Sequence, residues 1–303
     1  MSPPLVTIAI PFVNNDETLP DAVRSVFAQT FQNWELLLVN DGSQDRSLAF
    51  ARSLNDPRVS VISDGHNRGL PARLNQIAQL ARGEFLARMD ADDLMHPCRI
   101  AEQVSYLQIN PDIDVVGSAL WTINEHSVLI AQRGCQPARF SVAGALKNCP
   151  FMHPAIMGRT AWFLRNPYNE AYRRFQDGEL FLRAMMAGDG RYGHLERLLF
   201  FYREPSDFDA RKLIANYHSR RQLAWKFGPQ VVGVISTGKL IAQSYLKQFL
   251  WRIATCCHQQ QRLFALRNEP LSDSQREDGE RAIQQIRGYN LPTQAIFTEP
   301  LAA

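Results

Sequence analysis

The stretch Glu84-Phe85-Leu86-Ala87-Arg88-Met89-Asp90-Ala91-Asp92-Asp93 leads a short apolar run of strand character straight into three carboxylates. Gly83 marks a break before the run and Pro97 a helix start after it, so the acids fall on the connection leaving a central strand. In an open α/β sheet that edge is where ligands bind. Asp90 and Asp92 are one residue apart, so on a bent loop both can turn toward one hard cation, and the small Ala91 between them lets a ligand approach. Mg²⁺ or Mn²⁺ bridging phosphate oxygens suits such a pair, because these ions take few protein carboxylates and complete their shell with substrate and water. An isolated D-x-D is also an acidic turn that solvates a strand end and caps the next helix, and by itself the pattern leaves both readings open.

Upstream, strand-like and helix-like segments alternate. Leu5 to Ile10 reads as a buried strand, and Leu19 to Gln29 carries apolar residues at Leu19, Ala22, Val23, Val26 and Phe27, the spacing of one helix face. Trp34 to Val39 is a second strand, ending in Asn40-Asp41-Gly42-Ser43. A helix from Asp45 to Leu54, a strand from Arg58 to Ile62 and a helix from Leu70 to Ala81 then lead to the acidic strand. Strands alternating with helices of this length imply parallel pairing through right-handed crossovers. The predicted class is therefore α/β, a doubly wound, mostly parallel, Rossmann-like sheet. Parallel order puts Asp41 and the Asp90 to Asp93 cluster on one edge, where they can converge on one ligand. Gly42 lets a flat ring lie close while Asp41 accepts from its N–H groups, although Asn40 to Ser43 are all turn formers and also make a plain turn.

With 303 residues, 45% apolar and 21% charged, the chain can bury a full core as one large domain with an appendage. The N-terminus shows no secretory pattern, and no uncharged run reaches the roughly 18 to 20 residues that cross a bilayer. Five cysteines without C-x-x-C spacing argue for reduced thiols and against structural zinc. The expected location is cytoplasmic, and nucleic acid is not an expected partner.

Five motifs stand in a telling order: Ile10-Pro11-Phe12-Val13-Asn14; Gln29-Thr30-Phe31 with Glu35 to Asp45; Asn67-Arg68-Gly69; Ala72-Arg73-Leu74-Asn75; and Met89 to Asp93. From Leu5 to about Arg203 the chain resembles the family 2 glycosyltransferases, inverting enzymes of the GT-A fold that use nucleotide sugars. The resemblance implies that Pro11, Val13, Asn14, Asp41, Arg73, Asp90, Ala91, Asp92 and Arg203 line the nucleotide-sugar site. In it Asp41 holds uracil or another base, Arg73 lies near the nucleotide, Asp90 reaches the ribose, and Asp92 ligates Mn²⁺ or Mg²⁺ on the diphosphate. Val13 stands where an aromatic is common and Asn40 replaces an acid, departures that bear on base stacking and base identity.

The family also carries a His-Pro stretch followed by an acidic helix start, matched by His153-Pro154 and by Gln176-Asp177-Gly178-Glu179-Leu180-Phe181-Leu182-Arg183, with Gln176 in place of the first acid. The resemblance makes Asp177 the catalytic base. Read alone, Asp177 is equally an N-terminal cap or dipole partner of an apolar-periodic helix. His153 reads either as a contact to acceptor or phosphate or as a structural hydrogen-bonder. Asp114 to Gly117 is predicted as a strand, and Trp121 to Arg133 as two short strands about a turn at Asn124-Glu125. The expected organisation is a catalytic domain over 1–205, divided into a donor half (1–110) and an acceptor half (111–205), followed by a helical extension over 206–303. A metal-assisted single displacement would move a sugar from a nucleotide diphosphate sugar, with a UDP-sugar the expected donor, to a hydroxyl of a saccharide or lipid-linked glycan. A sugar nucleotidyltransferase would instead need a Gly-rich basic loop after the first strand. A non-catalytic nucleotide-sugar-binding module would keep Asp41 and Asp92 and dispense with Asp177.

From Ala210 to Arg267 there are ten basic residues and no Asp or Glu, so the rest of the +3 chain is net acidic. Within this segment Leu240, Ile241, Tyr245, Leu246, Phe249, Leu250 and Ile253 are read as one helical face, and Lys239, Gln243, Ser244, Lys247, Gln248 and Arg252 as the other. The pattern fits a peripheral contact with an anionic membrane surface, and equally a helix packed on the catalytic domain with a solvated back.

Overall fold

The structure, a computed structural model, describes residues 3–136, 140–204, 210–256 and 268–293. Four strands set its first half: β1 (Val6–Phe12), β2 (Trp34–Asn40), β3 (Val59–Ser63) and β4 (Phe85–Arg88). They pair in parallel in the order β3-β2-β1-β4. The connecting helices α1 (Leu19–Phe27), α2 (Ser47–Ser53) and α3 (Leu70–Leu80) cover the sheet. Alternation along β1 explains the layering. Ile8 and Ile10 face a core with Leu19 and Val23 of α1, while Ala9 faces another with Leu74 and Ile77 of α3. Glu35, buried inside β2, is kept there by partners, accepting from Thr7 Oγ1 at 2.6 Å and from the Arg82 backbone N–H at 2.8 Å.

The second half completes a mixed sheet. After β4 come β5 (Leu94–Met95), α4 (Arg99–Ile109), β6 (Val115–Ile123), β7 (Leu129–Arg133), α5 (Val142–Lys147), β8 (Met157–Arg159), α6 (Thr160–Arg165), α7 (Gln176–Met186) and β9 (Tyr192–Arg203). The sheet continues from β4 as β8-β6-β9-β5, with β7 on β6; β8 is antiparallel to β4 and β6, while β9 runs parallel to β6. The expected separate strand at Asp114 to Gly117 and short strand at Trp121 are in fact one nine-residue strand, β6. It is buried on both faces, so it lacks the alternation that would have shown its continuity. The turn that follows spans 124–128, and Asn124 ties it by accepting from the N–H groups of His126 and Val128.

Beyond β9, α8 (Ala210–Val232) and α9 (Val234–Cys256) form a hairpin, and α10 (Asp273–Arg287) follows. Helix α8 seats Leu223 among Leu146 of α5 and Phe175 and Leu182 beside and within α7. The expected faces of α9 are corrected here. Leu240 turns inward to the cluster around Leu223, and Ser244 and Gln248 also face α8, where Arg221 Nη1 donates to Gln248 Oε1 at 2.7 Å. The side chains of Arg211 and Lys212, and residues Arg262 and Arg267, lie outside the description. Helix α10, begun by a Ser272–Gln275 capping box, packs Ala282, Ile283 and Ile286 against Trp121, Ile123 and Leu129. Among the described residues no helix is long and apolar enough to cross a membrane. Cys98, Cys135 and Cys149 are free thiols.

Candidate active site

The chain runs from β1 outward to β3 and then returns to the other side of β1 as β4. The loops leaving β1 and β4 therefore diverge, and a crevice opens at their carboxyl ends, the point where open α/β sheets bind ligands. The sequence-predicted donor residues gather on this edge. Pro11 is the penultimate residue of β1, exposed Val13 follows the strand, and Asn14 meets the loop after β2. Asn14 adopts a left-handed φ of 53°, its N–H donating to Ser43 Oγ at 3.1 Å while its Oδ1 accepts from the Gln44 N–H at 2.8 Å. Asn40 locks the same turn from below, accepting from the Ser43 N–H at 3.0 Å and donating to Ser63 Oγ at 3.0 Å.

Asp41 is nearly buried, and its carboxylate is engaged from within the protein. It accepts from the N–H of Arg68 at 2.7 Å, from the N–H of Gly69 at 3.0 Å and from Arg73 Nε at 2.9 Å. Arg73, with 0% exposure, carries the network on to Asp64, which it meets at 2.6 and 3.1 Å. Those hydrogen bonds from Arg73 hold the Asp64 carboxyl well below the usual carboxylate range. Asp64 was not among the sequence candidates. The same rule that picked out Asp41, an acid leaving the end of a strand, would have found it just after β3.

On the other wall Asp90, Asp92 and Asp93 can bring one carboxylate oxygen each to within 4.8 Å of one another. Asp92 reaches solvent at the rim, yet the surrounding protein and then the charge of Asp90 push its carboxyl upward. Asp93 is buried and is pushed well up, first by burial and then by Asp92 and Asp90. Three hard oxygen donors crowded together, with Asp92 and Asp93 pushed toward their neutral forms, are the donor set a divalent cation takes, because the ion's charge removes the repulsion. Ala91 sits buried between them. Arg88, missed at the sequence level because it lies inside the apolar run, ion-pairs with Asp90 from beneath.

Arg203, at the end of β9, meets the same loop, with its donors directed at the protein. Nε donates to the Asp92 carbonyl at 2.7 Å, Nη1 to the carbonyls of Asn124 and Glu125 at 2.6 and 2.7 Å, and Nη2 to Ser127 Oγ at 3.0 Å. The Arg203 N–H also donates to Asp93 Oδ1 at 2.7 Å. Arg203 thus staples the acidic loop to the β6–β7 turn.

Asp177 is the second residue of α7, half-buried; the cap position itself belongs to Phe175, in a left-handed conformation with φ 59° and no side-chain cap bond. Burial pushes the Cys149 thiol up, and the neighbouring Asp177 charge adds to it. His153 is buried, its Nε2 hydrogen-bonded to the Tyr168 hydroxyl at 2.8 Å, so it is a structural hydrogen-bonder. Tyr168 links the two halves. Burial raises its phenol most, the charge of Arg88 opposes this, and Asp177 and Asp90 each add to the rise.

The sequence profile described as "Glycosyl transferase family 2" matches residues 7–167. A putative glycosyltransferase, EpsE, of Bacillus subtilis (strain 168) is 32% identical over 219 residues, covering 70% of this chain and 77% of the relative. The Escherichia coli UDP-Glc:alpha-D-GlcNAc-diphosphoundecaprenol beta-1,3-glucosyltransferase WfgD is 27% identical over 59% of this chain and 68% of its own. Among solved structures, S. aureus TarS 1-349 in complex with UDP superposes with a TM-score of 0.58 at 16% identity, over 80% of this chain and 71% of that one. The mannosyltransferase PcManGT from Pyrobaculum calidifontis, in complex with GDP-Man and Mn²⁺, does so at 0.60 and 14% identity, over 95% and 87%. The sheet is that of a GT-A fold, with Asp41 and the Asp90-Ala91-Asp92-Asp93 rim at its switch-point edge, and the profile match over residues 7–167 together with the 32% identity to EpsE place this chain in glycosyltransferase family 2.

Proposed function

We propose that the enzyme transfers a sugar with inversion from a nucleotide diphosphate sugar, a UDP-sugar foremost, to a hydroxyl of a saccharide or lipid-linked glycan at the cytoplasmic face of a membrane. The observation that carries the reading is the convergence of Asp90, Asp92 and Asp93 at the mouth of the β1/β4 crevice. Asp92, the carboxylate open to solvent, would hold Mn²⁺ or Mg²⁺ with Asp90 beside it, where Asp90 also reaches the ribose. The bound cation would supply positive charge to the diphosphate as it leaves. Pro11, Val13 and Asn14 floor the nucleotide site. Asp41 and Arg73, locked to each other and to the 66–69 loop, wall the base, and Ala91 admits the diphosphate. Arg203 keeps the rim closed against the β6–β7 turn.

An acceptor hydroxyl is a weak nucleophile at neutral pH. Asp177 takes its proton as the oxygen bonds to the anomeric carbon, an assistance of about 10²- to 10⁴-fold. The bond from that carbon to the diphosphate oxygen breaks with its electron pair on the nucleoside diphosphate. One displacement needs one base, and Asp177 stands alone in that role because the nearby Glu179 is fully buried and paired with Arg183 at 3.0 Å. Proton NMR of the first-formed product with a UDP-sugar donor should show the anomer opposite to the donor's. Asp177→Asn should lower kcat by at least about a hundredfold while leaving donor affinity intact. Retention of configuration, or an active Asp177→Asn enzyme, would overturn this reading.

A further inference from the structure

We propose that the outward face of the α8–α9 hairpin is a docking surface for an anionic lipid membrane, lying in the plane of the headgroups. The proposal gives a physical site to the membrane location proposed above, yet it stands on this surface and not on Asp177 or the donor. Helix α9 spends its inner face on α8: Thr237 and Trp251 are buried, and Ser244 and Gln248 meet Arg221. Tyr245, on the flank, lies under the Arg221 guanidinium at 4.1 Å, and on the far side Leu246, Phe249, Leu250 and Ile253 are 46 to 59% exposed. Val234 and Ile235, near the start of the helix, are 75% and 78% exposed, separated from that patch by Gly238, Lys239, Ala242 and Gln243. At 1.5 Å per residue the patch from Leu246 to Ile253 runs for about 10 Å, and its large side chains adjoin one another rather than lying scattered singly.

Charge decides the occupant. At 100° per residue Lys247 and Arg252 fall on opposite flanks of the patch, with Lys239 toward the start of the helix, positions from which long cationic side chains reach headgroups while the apolar face sinks between acyl chains. Residues 210–256 contain no Asp or Glu. A second copy of this chain, paired about a two-fold axis, would bring the same basic flanks against each other, so the pattern disfavours self-association. Anionic headgroups complement it, and among the described residues no helix is apolar enough to go further and span the bilayer.

The surface also has a fixed relation to the catalytic half. Leu223 of α8 packs with Phe175, and the Arg220 guanidinium lies over the Phe175 ring, 5.1 Å from its centroid, two residues before Asp177. Docking the hairpin therefore sets the start of α7 at a constant height above the lipid.

The test is flotation of the full chain with phosphatidylcholine vesicles, with and without phosphatidylglycerol, at low and high salt, with no donor or acceptor present. The intact protein should float with the anionic vesicles at low salt and be released by high salt. The combined Leu246→Gln, Phe249→Gln and Ile253→Gln variant changes only exposed residues and should lose at least about tenfold in partitioning. Lys239→Gln, Lys247→Gln and Arg252→Gln should each weaken it about fivefold. Failure of the intact protein to float at low salt, equal binding to neutral vesicles, or equal binding by the apolar variant would overturn the proposal. So would sedimentation showing an intact dimer that the apolar variant converts to monomer without any vesicle binding. Because transfer activity is not read, the outcome is independent of the catalytic reading.

Discussion

Arg88 ends β4 with its guanidinium buried beneath Asp90, and two of its nitrogens, Nε and Nη1, have no hydrogen-bond partner. It is the fixed positive charge under three acids, and its influence runs in two directions. Outward it offsets part of the repulsion at the rim. Replacing Asp92 by Asn should therefore leave the melting temperature of the metal-free protein unchanged or higher. Calorimetric titration with UDP and Mn²⁺ should show affinity falling by more than about tenfold, the loss already seen when only an outer partner of a metal ligand is removed. Undiminished affinity would take Asp92 out of the metal site. Inward, Arg88 adds to burial in holding His153 well below its usual value of 6.5. The folded protein then refuses a proton that the unfolded chain accepts below about pH 6.5, so stability is full above that pH and falls below it, by up to about 1.4 kcal/mol per pH unit. Urea midpoints at about pH 7.5 and 5.5 should show this loss, and His153→Gln, which can still bond Tyr168, should lessen it. Equal pH dependence in the two proteins would mean that His153 titrates normally.

At the level of elements, the crevice depends on how closely β4 approaches β1. Gly83 makes the approach possible: a Cβ there would lie 2.4 Å from the Thr7 backbone nitrogen and 2.7 Å from the Val6 carbonyl carbon. Neither atom can move without shifting β1, and the Gly83 N–H is also held by Thr7 Oγ1 at 2.9 Å. Gly83→Ala should cost about 3 kcal/mol, visible as a lower urea midpoint, and should weaken donor binding because the rim rides on β4. A midpoint within about 0.5 kcal/mol of the parent would show that the junction yields more easily than its backbone contacts imply. The first four strands were legible because each is a short apolar run bounded by turn formers and separated by helical spacing. Strand β9 was not, since exposed Glu196 and Arg197 interrupt it and its register with β6 shifts there. Only pairing with β6 and β5 makes it a strand.

At the scale of the whole molecule, the basic extension proves to be two things. The hairpin leans on α5 and α7 with an apolar face left outward, whereas α10 returns to the sheet and buries Ile286 completely beside Trp121, whose Nε1 donates to the Gln275 carbonyl at 3.0 Å. Ile286→Ala should then destabilise the catalytic core itself by about 2 to 5 kcal/mol, with tryptophan fluorescence and far-UV circular dichroism shifting together in one urea transition. An unchanged main transition would make α10 a mere appendage. The sequence by itself determined the α/β class, the parallel first half and the acids at one strand-end edge, because these rest on local periodicity and turn chemistry that neighbouring residues encode. Tertiary structure alone decided that Arg73 joins Asp41 to Asp64, that Arg203 turns its donors onto backbone carbonyls, and which side of α9 faces outward. Each depends on partners distant in the chain, and a helix with apolar residues on more than one side carries no local mark of which side its neighbour will cover.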